Sequence, residues 1–303
     1  MWAVAAGLQP VAGTWQEIAG DGIRVVHQPA SEALARRVAA RAAGGAPFPG
    51  LRDPLGSRPV QIVLAPDPAA FDSLTGGRAP EWSAGVAIPA RDLIVLPAYG
   101  AGVATGGELE RTLRHELAHI ALHRALPGAI PRWFDEGYAT WVSGGLDGQV
   151  VWELRFAFLL GRIPPLESLR FAWPRDAVDA RFAYILSATA VRHLATRRGP
   201  EVFEAFLGSW AETGDVEAAA RSAYGVPLHA IEEEWRSSVR RRYGWAFAVG
   251  QLTLFWAVAG ILLLAGYFAR RRAMRRRIDH LATQERMTES EGGAGLDDPW
   301  EDR

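Results

Sequence analysis

The feature that most constrains the fold of this chain is a pair of histidines, His115 and His119, in the segment "RTLRHELAHIALHRAL" (Arg111–Leu126). Because an α-helix turns about 100° per residue, residues four apart lie on one face, with Cβ atoms about 6 Å apart. The two imidazole rings can therefore approach one point in space. Glu116 lies beside them on the same helix. We expect a helix here that presents these three side chains together.

The residues around the histidine pair predict where this helix begins and ends. Thr105-Gly-Gly-Glu108 offers a capping box, in which the Thr hydroxyl accepts from an amide of the first turn and Glu108 reaches back to the Thr amide. Pro127-Gly128 is expected to end the helix. Apolar residues recur between these limits at helical spacing, at Leu109, Leu113, Leu117, Ile120 and Leu122.

Two neutral histidine nitrogens can hold a divalent metal ion, and a third ligand would complete the site. His123 lies eight residues after His115, which is about 12 Å along a straight helix and too far to share one ion. Glu136 lies in "IPRWFDEGYATWVSGG" (130–145), which predicts a second short helix that can fold back against the first. The sequence therefore predicts a metal site of His115, His119 and Glu136 with an open fourth position.

The motif "HELAH", followed after 16 residues by "EGYA" within Trp133–Ala139, resembles the gluzincin zinc metallopeptidases. The resemblance is to the bacterial peptidase-MA-like proteins, which are related to the thermolysin and aminopeptidase-N types. It covers residues 20–240, and its specific part is confined to 115–140. It implies that His115, His119 and Glu136 bind Zn²⁺, and that Glu116 is the general base for a metal-activated water that attacks a peptide bond.

The same resemblance implies that a peptide or protein substrate lies against an edge strand, for which "GVAIPA" (85–90) or "DLIVLP" (92–97) is the candidate. The aminopeptidase signature Gly-x-Met-Glu-Asn is absent, so recognition of a substrate N-terminus is not implied. Thermolysin types place an Asp four residues after the glutamate ligand, where it orients a histidine ligand. Thr140 holds that position here.

Gluzincins often stabilise the tetrahedral intermediate with a Tyr or His from the helical half. The segment "RFAYILSATAVRHL" supplies Tyr184 and His193, nine residues apart, which we expect on roughly the same side of one helix. Tyr184 resembles the Tyr on the corresponding helix of related proteins and is the candidate catalytic residue. The alternative is that Tyr184 packs in the helical core with its hydroxyl satisfied.

The rest of the chain predicts an α+β fold. Strand-like runs at Ile23–Gln28 and Val60–Ala65 flank an amphipathic helix at Ser31–Ala43, and Gly85–Pro97 predicts a hairpin. After the first metal-site helix, the periodicity is helical almost throughout. We therefore expect a zincin-like catalytic domain over residues 14–242, with a small N-terminal sheet and helices followed by a helical lobe.

A run of 27 uncharged residues separates Arg242 from Arg270, which predicts a transmembrane helix over 243–269 and a lipid bilayer as partner. Arginine is more frequent after this run than before it, which favours a single-pass cell-membrane protein with an extracytoplasmic peptidase domain and a cytoplasmic C-terminus. Residues 270–303 are basic, then acidic, and we expect a disordered tail. Residues 1–13, "MWAVAAGLQPVAG", are interpreted as a signal-peptide remnant, with a packed or disordered N-terminus as the alternative.

Composition excludes several classes of function. The formal net charge of −1 gives no field that attracts nucleic acid, and the absence of Cys excludes disulfides, thiolate ligands and a cysteine nucleophile. Two alternatives to a peptidase stay open. One is an inactive zincin-fold binding module anchored to the membrane, and the other is a structural zinc site, although such sites are usually closed by four ligands and rich in Cys.

Overall fold

The computed structural model describes residues 14–20, 22–52, 55–56, 58–77, 79, 83–100, 106–146, 164–171, 173–174 and 176–292, with only the backbone for 240, 242–254 and 276–292. The chain divides into two compact units, Met1–Tyr243 and Gly244–Arg303. Four predictions lie outside the described residues. They are the signal-peptide remnant, the capping-box Thr105, the part of the expected helical periodicity that falls on 147–163, and the last eleven residues, 293–303, of the expected tail.

A five-stranded mixed sheet forms the N-terminal half of the first unit. Its spatial order is β1-β2-β3-β5-β4, in which β2, β3 and β5 are parallel and both outer strands are antiparallel to their neighbours. The predicted hairpin is confirmed, because β4 pairs with β5 across a 3-10 turn at Pro89–Arg91. The strands are β1 Gln16–Gly20, β2 Ile23–His27, β3 Val60–Ala65, β4 Val86–Ile88 and β5 Leu93–Pro97.

Helices cover both faces of this sheet and form the rest of the first unit. The first four are α1 Glu32–Ala43, α2 Pro68–Thr75, α3 Gly107–Ala125 and α4 Arg132–Val142. The helical lobe comprises α5 Ala177–Arg197, α6 Pro200–Thr213, α7 Val216–Tyr224 and the start of α8 Leu228–Gly292, with short 3-10 turns at Pro29–Ser31 and Leu166–Leu169. The predicted α+β organisation, a sheet half followed by a helical half, is confirmed.

The alternating side chains of the central strands divide the core into two clusters. Val63, Leu93 and Val95 pack with the apolar face of α2. Ile62 and Ile94, whose side chains point to the opposite face of the same strands, join the larger core that includes α1, α3 and the helical lobe. Strands buried on both faces are mostly apolar along their whole length, so β3 and β5 could be predicted from the sequence. β1 and α2 were not predicted, because β1 is mostly exposed and α2 has only eight residues.

The C-terminal predictions differ from the structure in two respects. No helix of the described residues is long and apolar enough to cross a membrane, so the predicted transmembrane helix over 243–269 is not supported. The backbone is helical from Leu228 to Gly292, whereas we expected a disordered tail from Arg270. Arg, Ala, Met and Glu, which dominate residues 270–292, are good helix formers, and the charge of this segment does not override that propensity.

Candidate metal centre

The two predicted metal-site helices lie against each other, and three candidate ligand atoms meet between them. Nε2 of His115 and Nε2 of His119, both on α3, are 3.3 Å apart. Oε2 of Glu136, on α4, lies 3.7 Å from the first nitrogen and 3.6 Å from the second. The structure therefore brings together the three residues that the sequence predicts as ligands, and they form a candidate metal site.

The spacing of these three atoms fits a tetrahedral zinc ion. Bonds of about 2.0–2.2 Å in a tetrahedral site separate the ligand atoms by roughly 3.3–3.6 Å. The three observed separations, between 3.3 and 3.7 Å, lie at or just beyond that range. Two nitrogens and one carboxylate oxygen are also ligands that zinc accepts, and three protein ligands leave a fourth position open. The residues present therefore fit Zn²⁺.

The position of Glu136 depends on how closely α4 approaches the helical lobe. A Cβ atom on Gly137 would lie 2.6 Å from the backbone oxygen of Ser187 on α5, so only glycine allows this contact. On the other side, Arg114 of α3 donates to the carbonyl of Val142 at the end of α4, at 2.6 Å. Tyr138 donates to the carbonyl of Pro49 at 2.8 Å. These contacts hold α4 in place and so hold its carboxylate opposite the histidines.

Asp135 orients one of the candidate ligands. Its Oδ1 accepts a hydrogen bond from Nδ1 of His119 at 2.7 Å, which leaves Nε2 of that ring for a metal. Its Oδ2 lies 3.1 Å from Nε2 of His123, so one carboxylate connects both histidines. His123 is thus placed beyond the ligand group, as predicted. The orienting carboxylate comes from the residue before Glu136, and Thr140 is not needed for that contact.

The electrostatic field of the site favours a cation. Burial by itself disfavours a charged imidazole, but the charge and hydrogen bond of Asp135, together with Glu136 and Glu116, raise the pKa of His119 to about 10. Burial also opposes ionisation of Asp135, yet its contacts with His119 and His123 hold the pKa of this carboxyl well below its ordinary value. Burial likewise opposes ionisation of Glu136, but the nearby imidazole rings of His115 and His119 lower its pKa on balance. Carboxylates of this kind stabilise either a proton or a metal ion.

Glu116 lies beside the candidate ligands in a cleft of about 650 Å³. Its side chain is buried, at 7% exposure, and packs beneath Gly85, just before β4. A Cβ atom on Gly85 would come within 2.7 Å of Leu96 and 3.3 Å of Glu116 Cγ. Val86 and Ala87 of β4 line the same cleft. Because β4 is an edge strand and β5 is an interior strand, "GVAIPA" remains the candidate substrate-binding strand, and the alternative "DLIVLP" is wrong.

Tyr184 also lines the cleft, and His193 does not. The ring of Tyr184 lies 6.4 Å from that of His115 and 5.0 Å from that of Trp173, between centroids. Burial, and next the charge of Glu136, raise the pKa of its hydroxyl, which therefore stays protonated and can donate. The expectation that His193 shares this side of the helix is wrong. Nine residues correspond to about two and a half turns, which places the two side chains on opposite sides.

Two features of the site were not predicted from the sequence. One is the orienting role of Asp135, although its position next to Glu136 on a short helix could have suggested that both face α3. The other is Arg132, which lies with Nε 3.6 Å from Oε1 of Glu136 and with its guanidinium over the ring of Trp173 at 5.1 Å. Arg132 thus contacts the oxygen of Glu136 that is not directed to the histidines.

A profile of the peptidase MA superfamily matches residues 57–241. Among solved structures, the chain is similar to an M1 zinc metallopeptidase from Deinococcus radiodurans, with 18% identity and a TM-score of 0.40 over 73% of this chain and 51% of that one. A mutant M1 zinc metallopeptidase from that organism bound to a Tyr-Ser-Ala substrate aligns over the same shares, with 16% identity and a TM-score of 0.40. The chain spans about half the length of these enzymes. No curated protein matches the sequence significantly.

Proposed function

The chain belongs to the peptidase MA superfamily, whose profile matches more than half of its residues, and on that basis we propose that it is a zinc-dependent peptidase. The observation that carries the proposal is the meeting of His115, His119 and Glu136 at separations of 3.3 to 3.7 Å, with Glu116 in the same cleft. A structural zinc site would be closed by a fourth protein ligand. Here the group of three ligands opens onto the cleft.

His115, His119 and Glu136 would hold the zinc ion. When bound, Zn²⁺ supplies Lewis-acid polarisation of a substrate carbonyl and lowers the pKa of a water. Glu116 would accept the proton of the attacking water and pass it to the leaving amine, since a carboxylate in a largely buried position is suited to both transfers. The proton therefore moves from water to Glu116 to the amine as the peptide bond breaks.

Two other groups would position the substrate. The outer edge of β4 lies along the cleft, so an extended peptide could add to it as a strand through main-chain hydrogen bonds. The protonated hydroxyl of Tyr184 would donate to the oxygen on which negative charge develops. The raised pKa of this hydroxyl supports a donor role, because the group does not ionise near neutral pH.

Replacing Glu116 by Gln in the full chain tests this function. The variant keeps size and hydrogen-bonding capacity but loses the base, so zinc content and melting temperature should match wild type while hydrolysis of a diverse peptide pool falls by about 10²- to 10⁴-fold. Glu108→Gln, an exposed change in the first turn of the same helix, should retain activity. If zinc-loaded wild type cleaves no peptide, the chain is a binding module. If Glu116→Gln cleaves as fast as wild type, another residue activates the water.

We also propose, on the sequence alone, that residues 243–269 anchor the chain in a membrane. The support is the 27-residue uncharged run. In the second unit, Phe255, Leu263 and Tyr267 expose more than half of their apolar side chains, which is the kind of surface that lipid or another apolar partner covers. Four arginines lie close before the run and seven lie after it, which favours an extracytoplasmic peptidase domain. Protease added to intact spheroplasts should digest residues before Tyr243 and spare the tail.

A further inference from the structure

A second cavity, separate from the cleft, lies between α5 and the first turns of α8 in the first unit. Its volume is about 520 Å³. Its nitrogen-bearing side chains are Arg192 and His193 on α5 and Trp235 and Arg241 on α8. None of the residues that line it carries a carboxylate. Both helices therefore present donors, and mainly positive charge, to one cavity.

The two arginines of this cavity have no counter-ion among the described residues. Arg192 is half-buried, and neither it nor Arg241 makes an ion pair in the part of the chain that the structure describes. The carboxylate of Glu234, which lies 3.7 Å from His193, is held by Arg197 at 2.6 and 2.9 Å. A partly buried guanidinium without an acidic partner costs free energy that a bound anion would offset.

Two buried ring nitrogens of residues that line the cavity also lack partners within the described residues. Trp235 is 2% exposed, and its Nε1 makes no hydrogen bond. Nε2 of His193 makes none either, because its nearest carboxylate oxygen, on Glu234, is 3.7 Å away. Buried polar atoms of native proteins are nearly always paired, with protein, water or ligand. The Nε1–H of Trp235, which can only donate, therefore indicates a ligand that accepts hydrogen bonds. Nε2 of His193 donates to the same ligand in the tautomer that carries its proton on this nitrogen.

The hydroxyl groups of the cavity do not compete for that ligand as donors. Thr189 donates to the carbonyl of Leu186 and Thr196 to that of Arg192, each at 2.8 Å. Ser238 donates to the carbonyl of Trp235 at 2.7 Å. Their protons are thus engaged within their own helices. The donors that remain are all nitrogens, and they come from two different helices.

From these observations we propose that the cavity binds a phosphate-bearing anion. Nitrogen donors from two helices suit a tetrahedral oxyanion, which accepts several hydrogen bonds, and one guanidinium can donate two parallel hydrogen bonds to phosphate oxygens. The volume exceeds that of the oxyanion alone and falls within the range of small-molecule sites, so the phosphate is attached to an organic group. A lipid headgroup and a free organic phosphate share this chemistry. The site is independent of the proposed peptidase activity.

The test uses the full chain with two probes. Calorimetry in a non-ionic detergent measures the binding of inorganic phosphate. Thermal unfolding in vesicles of phosphatidylcholine, with and without phosphatidylglycerol, measures stabilisation by an anionic headgroup. Phosphate binding in detergent indicates a soluble ligand, and a melting temperature that rises only with phosphatidylglycerol indicates a lipid.

Arg192→Gln should lower the affinity for whichever probe binds, phosphate or the anionic headgroup, by about 10- to 100-fold. This is the usual loss for a hydrogen-bonded charge. Arg241→Gln, at an exposed position that tolerates change, should lower the same affinity by about two- to fivefold. Arg37→Gln, which removes an equally exposed arginine from α1, should have no effect. The proposal is overturned if wild type responds to neither probe, or if Arg192→Gln and Arg241→Gln both respond as wild type does.

Discussion

Oδ1 of Asp135 lies 2.7 Å from Nδ1 of His119, so the residue that precedes one candidate ligand holds the ring of another. Through its second oxygen the same carboxylate contacts His123. One short helix, α4, thus supplies both a metal-binding carboxylate, on Glu136, and the group that orients a histidine of α3. The first prediction follows from this pairing.

Asp135→Ala should weaken zinc binding by about 10- to 100-fold, because the ring of His119 loses the partner that fixes its tautomer and orientation. His123→Ala should leave zinc affinity close to wild type, since His123 contacts only the far oxygen of that carboxylate. Competition with a chromophoric chelator measures both affinities. Equal loss in the two variants, or loss in His123→Ala alone, would show that His123 is itself a ligand.

Zinc affinity should rise with pH. The field around His119 raises its pKa to about 10, so the ring carries a proton at neutral pH that a metal must displace. Each pH unit between 7 and 9 should therefore strengthen binding by up to about tenfold, and binding at pH 7.5 should release about one proton from this residue. Calorimetry in two buffers of different ionisation enthalpy measures that proton. Binding that is independent of pH over this range would contradict the assigned field.

The stability of the metal-free protein should fall as pH rises, whereas zinc affinity increases. The pKa of His119 is raised from an ordinary value of 6.5, so its contribution to the free energy of unfolding is fully present below pH 6.5 and is lost as pH rises toward 10. Urea unfolding of the metal-free chain at pH 6.5, 8 and 9.5 should show this decline. His119→Gln, which cannot titrate, should flatten it; an unchanged slope would assign the decline to other groups.

Gly137→Ala should destabilise the protein and weaken zinc binding together. The added Cβ would meet the backbone of Ser187 at 2.6 Å and push α4, with Glu136, away from the lobe, at a cost of about 1–3 kcal/mol. Gly208→Ala is the matched control, because that helical glycine has open space around its Cβ position and alanine favours helix by up to about 1 kcal/mol. Urea unfolding and zinc titration measure both effects. If Gly137→Ala is as stable as wild type, the contact does not position the carboxylate.

Tyr184→Phe should lower kcat by about 10²-fold and leave KM and zinc content nearly unchanged, because it removes only a donor to the developing negative charge. The ring keeps its packing against Trp173. Tyr224→Phe removes another buried hydroxyl, which donates to Leu194, and should cost about 1 kcal/mol of stability without affecting kcat. Steady-state kinetics on a cleaved peptide measures kcat and KM for both variants. Full activity in Tyr184→Phe would assign that tyrosine to packing alone.

Features set by local periodicity could be predicted from the sequence by itself. The four-residue spacing of His115 and His119 places both rings on one helical face wherever that helix lies, because helix geometry is local. The same holds for β3, whose mostly apolar run, Val60–Ala65, predicts a strand. The family motif then identified Glu136, since its "EGYA" context is as local as the histidine pair.

Features that depend on how helices and strands pack were decided only by the tertiary structure. Asp135 orients His119 because α4 lies against α3 at one particular rotation, and Gly137 is what allows that approach to the lobe. Strand order, a non-local property, made β4 the edge strand that lines the cleft and placed β5 inside the sheet. Tyr184 and His193 share one helix but serve different cavities, because each side of α5 packs against a different neighbour. Contacts between residues far apart in sequence leave no periodic signal in either segment, so only the folded structure identifies them.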